Sequence, residues 1–466
     1  MSARNILLLC ADQFRGDMLA ANGLNADIRT PKLDALARRG VRFGRHFTTF
    51  PKCVPARISM MTGRHTHTDG YRDITRHLPA DKPDLASTLK RHGYQLVELG
   101  RNHCWENMLE ATHRPPQLAP GQRGLAFDHH AWTPPYAEIW ERHKAGESAI
   151  ERVEPDTLED GRGFVFKDER GWAADHAVVE MADLFLREVR DRDRPFFCQV
   201  NLGKPHTPYE VGPPWFDMYD RGAIERLPHE LPSDAPMCAE RQRAVWTGHD
   251  CPTQTFAAIQ STYMGMCSRV DALLGQVIES LERTGLWDET LIVFTSDHGD
   301  YAGQYGLVEK WDTHFPDALM HVPMVMAGGG MREGVAVDAL TSHADLAPTL
   351  CAAVGVEPFA GIHGRSMLPT LDGEATNTAV FADGGHEPAL REQFNFYTDH
   401  SRPTPTTTPD DFEPRPHTLG LGDDKQETYR LFPDTIARAK MIRTDRWKLV
   451  HRETGDHELY DLAADR

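Results

Sequence analysis

The chain has 466 residues, 40% hydrophobic and 26% charged, which excludes wholesale disorder and fibrous repeats, and its length predicts one large domain plus a smaller one. Lys and Arg total 51 against 69 Asp and Glu, a formal charge of -18, which opposes binding to nucleic acid or to an anionic membrane and leaves any anionic substrate to a local basic pocket. The N-terminus offers only a short apolar run, Ile6 to Cys10, ahead of Asp12, and the eight cysteines are scattered, so neither a signal peptide nor a membrane span is expected, and a cytoplasmic protein with reduced thiols is.

In chain order, Asn5 to Cys10 reads as a buried parallel strand. Thr30-Pro31 followed by Leu33, Leu36 and Ala37 and stopped at Gly40 predicts a short helix with a cap, a proline at its first position and a terminal glycine. A second helix is expected within Pro51 to Gly63, which puts Cys53 at its N-terminus. Tyr94 to Leu99, Pro195 to Leu202 and Thr290 to Thr295 are further buried strands, and Met264 to Arg283 carries the apolar stripe of an amphipathic helix. Arg114 to Arg170 lacks periodicity and reads as a loop-rich substrate rim, and the Pro- and Thr-rich stretch Thr398 to Pro416 as a linker-like loop. Ala439 to His451 and Glu458 to Leu462, around a turn at Glu453 to Asp456, suit a small antiparallel sheet.

Strands alternating with helices predict an α/β fold, a large mostly parallel sheet flanked by helices, over residues 1–375. Residues 376–466 would form a smaller C-terminal antiparallel subdomain. In such sheets the chemistry gathers at the carboxyl ends of the strands. Titratable or polar residues follow each predicted strand there: Asp12 and Gln13, Arg101 and His103, Lys204 and His206, Asp297 and His298. Two carboxylates, an amide oxygen and an imidazole suit one divalent ion that prefers oxygen ligands, calcium, magnesium or manganese rather than zinc. Asp300 reads better as a cap of its turn. A thiol at a helix N-terminus has a lowered pKa beside an anion-binding end. Cys53 is therefore either a reactive nucleophile or a buried cysteine ahead of an ordinary helix, and local sequence leaves both readings standing.

Cys53-x-Pro55-x-Arg57 followed by Thr62-Gly63-Arg64 resembles the signature of the sulfatases, the formylglycine-dependent family of the alkaline phosphatase superfamily. Alanine stands at position 56 where serine is common. Gly93-Tyr94 through Gly100-Arg101-Asn102-His103 resembles a second sulfatase element, with Arg101 in place of the usual lysine, and Lys204-Pro205-His206, Asp297-His298-Gly299 and Lys310-Trp311 resemble others. The likeness runs from Asn5 to about Leu371, and Glu458 to Leu462 looks like the family's close. One acid in Ala11-Asp12-Gln13, together with His298, is similar to the branch of choline sulfatases and phosphonate monoester hydrolases.

The resemblance implies a sulfate monoester hydrolase acting on a small-molecule ester, whose Cys53 a formylglycine-generating enzyme converts to formylglycine. It implies one divalent ion, calcium foremost with manganese or magnesium as alternatives, held by Asp12, Gln13, Asp297, His298 and the modified Cys53. The catalytic set would be Cys53, Arg57, Arg101, His103, Lys204, His206 and Lys310, with His206 protonating the leaving oxygen and His103 taking the proton that releases sulfate. The rival within the fold is a phosphonate monoester or phosphodiester hydrolase. A noncatalytic binding protein and a Ser- or Thr-dependent phosphomutase relative fit less well beside a Cys-x-Pro-x-Arg frame. His65, His67, His321 and His343 receive no role, and a homo-oligomer is compatible with the sequence.

Overall fold

The structure, a computed structural model, describes residues 3–74, 76–79, 81–101, 104–105, 127–131, 133–149, 165–168, 170–224, 227–247, 251–387, 429 and 431–464. Alternation along the first strand, Asn5–Asp12, sets up its layers. Ile6, Leu8 and Cys10 enter one buried cluster with Val54, Ile58 and Met61 of the helix Cys53–Thr62. Leu7, Leu9 and Ala11 face the other way, into a cluster with Met264, Val270 and Leu274 of the helix Thr253–Arg283. A strand covered on both faces has no polar side, which is why it reads as an unbroken apolar run.

The main sheet has eight strands, in the order Val335–Val337, Gly40–Phe43, Met324–Ala327, Thr290–Ser296, Asn5–Asp12, Phe196–Pro205, Gln95–Gly100 and His129–His130. Met324–Ala327 runs against both of its neighbours, and the other pairings are parallel. The parallel centre delivers the ends of four strands to one edge, so Asp12, Arg101, Lys204 and Asp297 emerge together. The ladder between Asn5–Asp12 and Phe196–Pro205 shifts register between Ala11 and Asp12, which releases Asp12 from regular pairing at that edge.

The helix predicted after Thr30 is Pro31–Arg38. Its N-terminus is capped from outside: the Asp271 carboxylate accepts the backbone N–H groups of Lys32 at 3.2 Å and Leu33 at 2.7 Å. The long helix begins at Thr253 rather than Met264. Its first half is enclosed nearly all round, with Phe256, Ala257, Ala258, Ile259 and Tyr263 buried, so it carries no polar stripe to announce it.

The second sheet is antiparallel in the order Val380–Gly384, Ala439–Arg443, Trp447–Arg452 and Glu458–Asp461. The single strand expected over Ala439 to His451 is two strands. Thr444 turns the chain by accepting the Trp447 N–H on Oγ1 at 2.9 Å, a local side-chain bond that competes with the ladder. One face of this sheet, Val380, Ala382, Ala439, Met441 and Val450, packs on Tyr301, Phe315 and Leu319. The region expected to be loop-rich, Arg114 to Arg170, contains the edge strand His129–His130 and the helix Tyr136–Ala149. The stretch Thr398 to Pro416 lies outside the described residues. No helix among the described residues is long and apolar enough to cross a membrane.

Candidate active site

Asp12, Asp297 and His298 are fully buried, and one ligand atom from each lies within 4.8 Å of the others. Their loops are tied to each other. The Gln13 N–H donates to Asp297 Oδ1 at 3.0 Å. Ser296 Oγ accepts the Phe14 N–H at 2.7 Å and reaches the carbonyls of Ala11 at 3.0 Å and His298 at 2.9 Å, so one hydroxyl spans both loops. Gln13 adopts a φ of 76°, a left-handed conformation costly for a side-chain-bearing residue. The Tyr263 hydroxyl pins it, donating to the Gln13 carbonyl at 2.6 Å.

Neither carboxylate oxygen of Asp12 has a hydrogen-bond donor, and the Arg57 guanidinium approaches it only to 3.5 Å. A buried acceptor in that state is costly unless a cation completes it. Two carboxylates and an imidazole whose Nδ1 is committed to the Gly299 carbonyl at 2.8 Å fit a divalent ion with mainly oxygen donors. The Gln13 side chain is differently engaged: its amide nitrogen donates to Asp300, and its oxygen accepts Lys310 Nζ at 2.7 Å. Asp300 also accepts the Ala302 N–H at 2.6 Å and the Tyr209 hydroxyl at 2.7 Å, the capping arrangement expected of it.

Cys53 is the first residue of its helix, which ends at Gly63 in a left-handed conformation with φ of 62°. Burial raises the thiol's pKa, but the neighbouring His298 imidazole and the Lys310 ammonium bring it below the ordinary value. Burial instead pushes Cys10 up to about 12 and Cys104 well above its usual value. Four residues along the same helix face, Arg57 donates through Nε to Asp297 at 2.9 Å and through Nη1 to the Arg101 carbonyl at 2.8 Å and Asn201 Oδ1 at 3.3 Å. Against the effect of burial, Arg57 and His298 hold the Asp297 carboxyl well below the usual range. Burial and Asp297 raise Asp12, yet His206, Arg57 and Arg101 leave it lowered.

Lys310 Nζ contacts Gln13, His206 Nε2 at 3.1 Å and Glu309 at 2.9 Å. His206 Nδ1 donates to the Thr207 carbonyl at 2.7 Å, which leaves Nε2 as the accepting atom. Lys204 is turned toward its own loop. Its ammonium donates to Glu210 at 2.6 Å and lies near the carbonyls of His206 at 3.4 Å and Pro208 at 3.3 Å. The Arg101 side chain is exposed at the sheet edge. His103 lies outside the described residues. Sequence reasoning passed over Ser296, Tyr263 and Asn201. Asn201 carried a usable signal, a polar residue within an apolar strand, whereas Tyr263 sits in a helix remote in sequence from the loop it pins.

The Sulfatase family model matches residues 4–356. The choline-sulfatase of Rhizobium meliloti (strain 1021) is 29% identical over 405 residues, covering 83% of this chain and 73% of that protein. The multifunctional alkaline phosphatase superfamily protein PehA of Trinickia caryophylli is 27% identical over 411 residues, covering 80% and 77%. Among solved structures, the phosphonate monoester hydrolase of Agrobacterium radiobacter aligns with a TM-score of 0.71 at 25% identity, over 99% of this chain and 90% of that one.

Proposed function

The chain belongs to the sulfatase family, whose members are sulfuric ester hydrolases, and from that premise we propose that it cleaves a small-molecule sulfate monoester with formylglycine made from Cys53 as nucleophile. The observation that carries this reading is Cys53 buried at a helix N-terminus beside the cluster of Asp12, Asp297 and His298, in which the Asp12 carboxylate has no donor of its own. Asp12, Asp297 and His298 would hold one divalent ion, calcium before manganese or magnesium, with the modified Cys53 completing the set and the Gln13 amide oxygen joining it on release from Lys310 Nζ. Maturation by a formylglycine-generating enzyme and a cytoplasmic setting belong to the same proposal.

When present, the ion supplies positive charge against the transferring group, and the hydrated aldehyde supplies one hydroxyl to attack sulfur and a second whose deprotonation lets sulfate leave. The protein's own residues orient and neutralise. Arg57 keeps both acids ionised. Lys310 and Arg101 present positive charge to the sulfuryl oxygens. Burial and the Lys310 ammonium push His206 down to about 3, so its ring stands neutral, and the proton for the leaving oxygen is held at Lys310 Nζ, one hydrogen bond away. Lys204 acts indirectly, by bracing the loop that carries His206. His103 keeps the role that the family likeness implies for it.

A phosphonate monoester or phosphodiester activity is the second reading, favoured by the likeness to the Agrobacterium radiobacter phosphonate monoester hydrolase. Such esters also carry a single negative charge, so size separates them: a diester has a second substituent where a sulfate has a bare oxygen. Peptide mass spectrometry of protein coexpressed with the maturing enzyme, with activity toward matched aryl sulfate, phosphodiester and phosphonate esters measured on the same sample, tests both readings. Active enzyme with an unmodified thiol would sink the aldehyde, and a wild-type preference for the diester would overturn the substrate class.

A further inference from the structure

Asp312 is fully buried two residues after Lys310, and segments far apart in sequence converge on it. Its Oδ2 accepts Lys52 Nζ at 2.5 Å and His386 Nε2 at 2.9 Å, and its Oδ1 accepts the Tyr429 hydroxyl at 2.8 Å. Its carbonyl accepts the Gly385 N–H at 2.8 Å. Lys52 directly precedes Cys53, and its own carbonyl takes the Ala56 N–H at 3.1 Å, the bond that opens the nucleophile's helix. On the other side Trp311 meets the Tyr429 ring edge-on at a centroid distance of 5.0 Å and donates Nε1 to the Thr435 carbonyl at 3.0 Å.

The residue before Cys53 and the residue two after Lys310 are thus bonded to each other, and Asp312 is bonded in turn to the side chains of His386 and Tyr429, over whose ring the Lys52 ammonium lies 5.6 Å from the centroid. We propose that Asp312 is a positioning residue: through Lys52 it sets where the Cys53 helix begins relative to Lys310, with His386 and Tyr429 locking its carboxylate. The bonds that hold Asp312 run to Lys52, His386 and Tyr429 and not to Asp12, Asp297 or His298 among the described residues, so its effect reaches the chemistry through placement. In a buried pair, removal of one charge strands the other, whereas loss of the Tyr429 hydroxyl keeps both charges but releases Asp312 Oδ1, so that the carboxylate and the Lys52 it holds can turn. This inference rests on the sulfatase reading for its activity arm only.

The test compares wild type with Tyr429→Phe, Lys52→Met and Lys52→Arg, each checked for folding by its thermal midpoint. In matured, metal-loaded enzyme, Tyr429→Phe and Lys52→Met should lower kcat for an aryl sulfate about tenfold or more, with KM within about twofold, because misplaced reacting groups slow chemistry more than binding. Lys52→Arg, which keeps the charge, should recover most of that rate. A second arm needs no sulfatase activity: in protein made without the maturing enzyme, the alkylation rate of Cys53 by iodoacetamide, followed by peptide mass spectrometry, should shift at least about threefold in the same two variants. Folded Tyr429→Phe and Lys52→Met proteins with wild-type kcat and wild-type alkylation would overturn the proposal, as would a kcat loss no larger than the loss of folded protein. A wild type inactive on every sulfate ester would sink the sulfatase reading instead, while the alkylation arm still decides the positioning.

Discussion

Buried charge at the sheet edge is concentrated on two neighbouring carboxylates. Asp12 has burial, a second carboxylate nearby and no hydrogen-bond donor, while Arg57 is shared between both acids and the main chain of the neighbouring strand. Asp297→Ala should remove one anionic ligand and weaken retention of the divalent ion about 10- to 100-fold. Metal analysis and activity on the same folded protein should fall together, and wild-type metal content in that variant would refute the ligand assignment. Ser296→Ala should act differently, because its hydroxyl is spent on joining the loops that carry Asp12 and Asp297, to the Phe14 N–H and the carbonyls of Ala11 and His298. Losing those buried bonds should cost about 1–3 kcal/mol, read as a lowered urea midpoint, with metal affinity reduced less than in Asp297→Ala. Equal effects of the two substitutions on metal affinity would make Ser296 a ligand rather than a tie. Asp12, Asp297 and His298 were legible from their place after apolar runs, whereas the commitments of the Lys204 and Gln13 side chains were not, since their partners Glu210 and Lys310 compete with the centre for them in three dimensions.

Between elements, Asp271 shows a similar competition. It sits on the helix Thr253–Arg283 and caps the helix Pro31–Arg38. Burial raises its pKa to about 7, although the Leu33 and Lys32 N–H groups oppose the shift. The folded chain therefore retains a proton that the unfolded chain has released from about pH 4 upward. This contribution to stability is complete below about pH 4 and is lost as pH rises through 7. Asp271→Asn should remove it, so the variant should gain on wild type between pH 5 and pH 8 in urea midpoint. Parallel stability curves for the two proteins would show that the carboxyl ionises as freely in the fold as outside it. The cap was invisible in sequence because Pro31 and Asp271 belong to different helices, while the helix itself was legible from Pro31 and Gly40.

Across the molecule, the second sheet packs on the connection between the main-sheet strands Thr290–Ser296 and Met324–Ala327, with Val380, Met441 and Val450 in one apolar cluster with Phe315 and Leu319, and Asp312 of that connection is tied to Lys52. Folding should therefore be cooperative across both sheets. Calorimetry of the whole chain should give a single transition whose van't Hoff and calorimetric enthalpies agree, and two separated transitions would mean that the second sheet folds on its own. Composition, the period of the apolar runs and the residues just beyond them determined the α/β class, the strands at the sheet centre and the positions from which Asp12, Cys53, Asp297 and His298 project. These are local properties: a strand buried on both faces must be apolar throughout, and a parallel sheet must send its strand ends to one edge. Only the tertiary structure decided the early start of the long helix, the division of Ala439–Arg443 from Trp447–Arg452, the pairing of Lys204 with Glu210 and the hub at Asp312. Each depends on burial or on a charge partner distant along the chain, and a polar side chain's final partner is selected by the lowest cost of desolvation among all the groups the fold brings within reach.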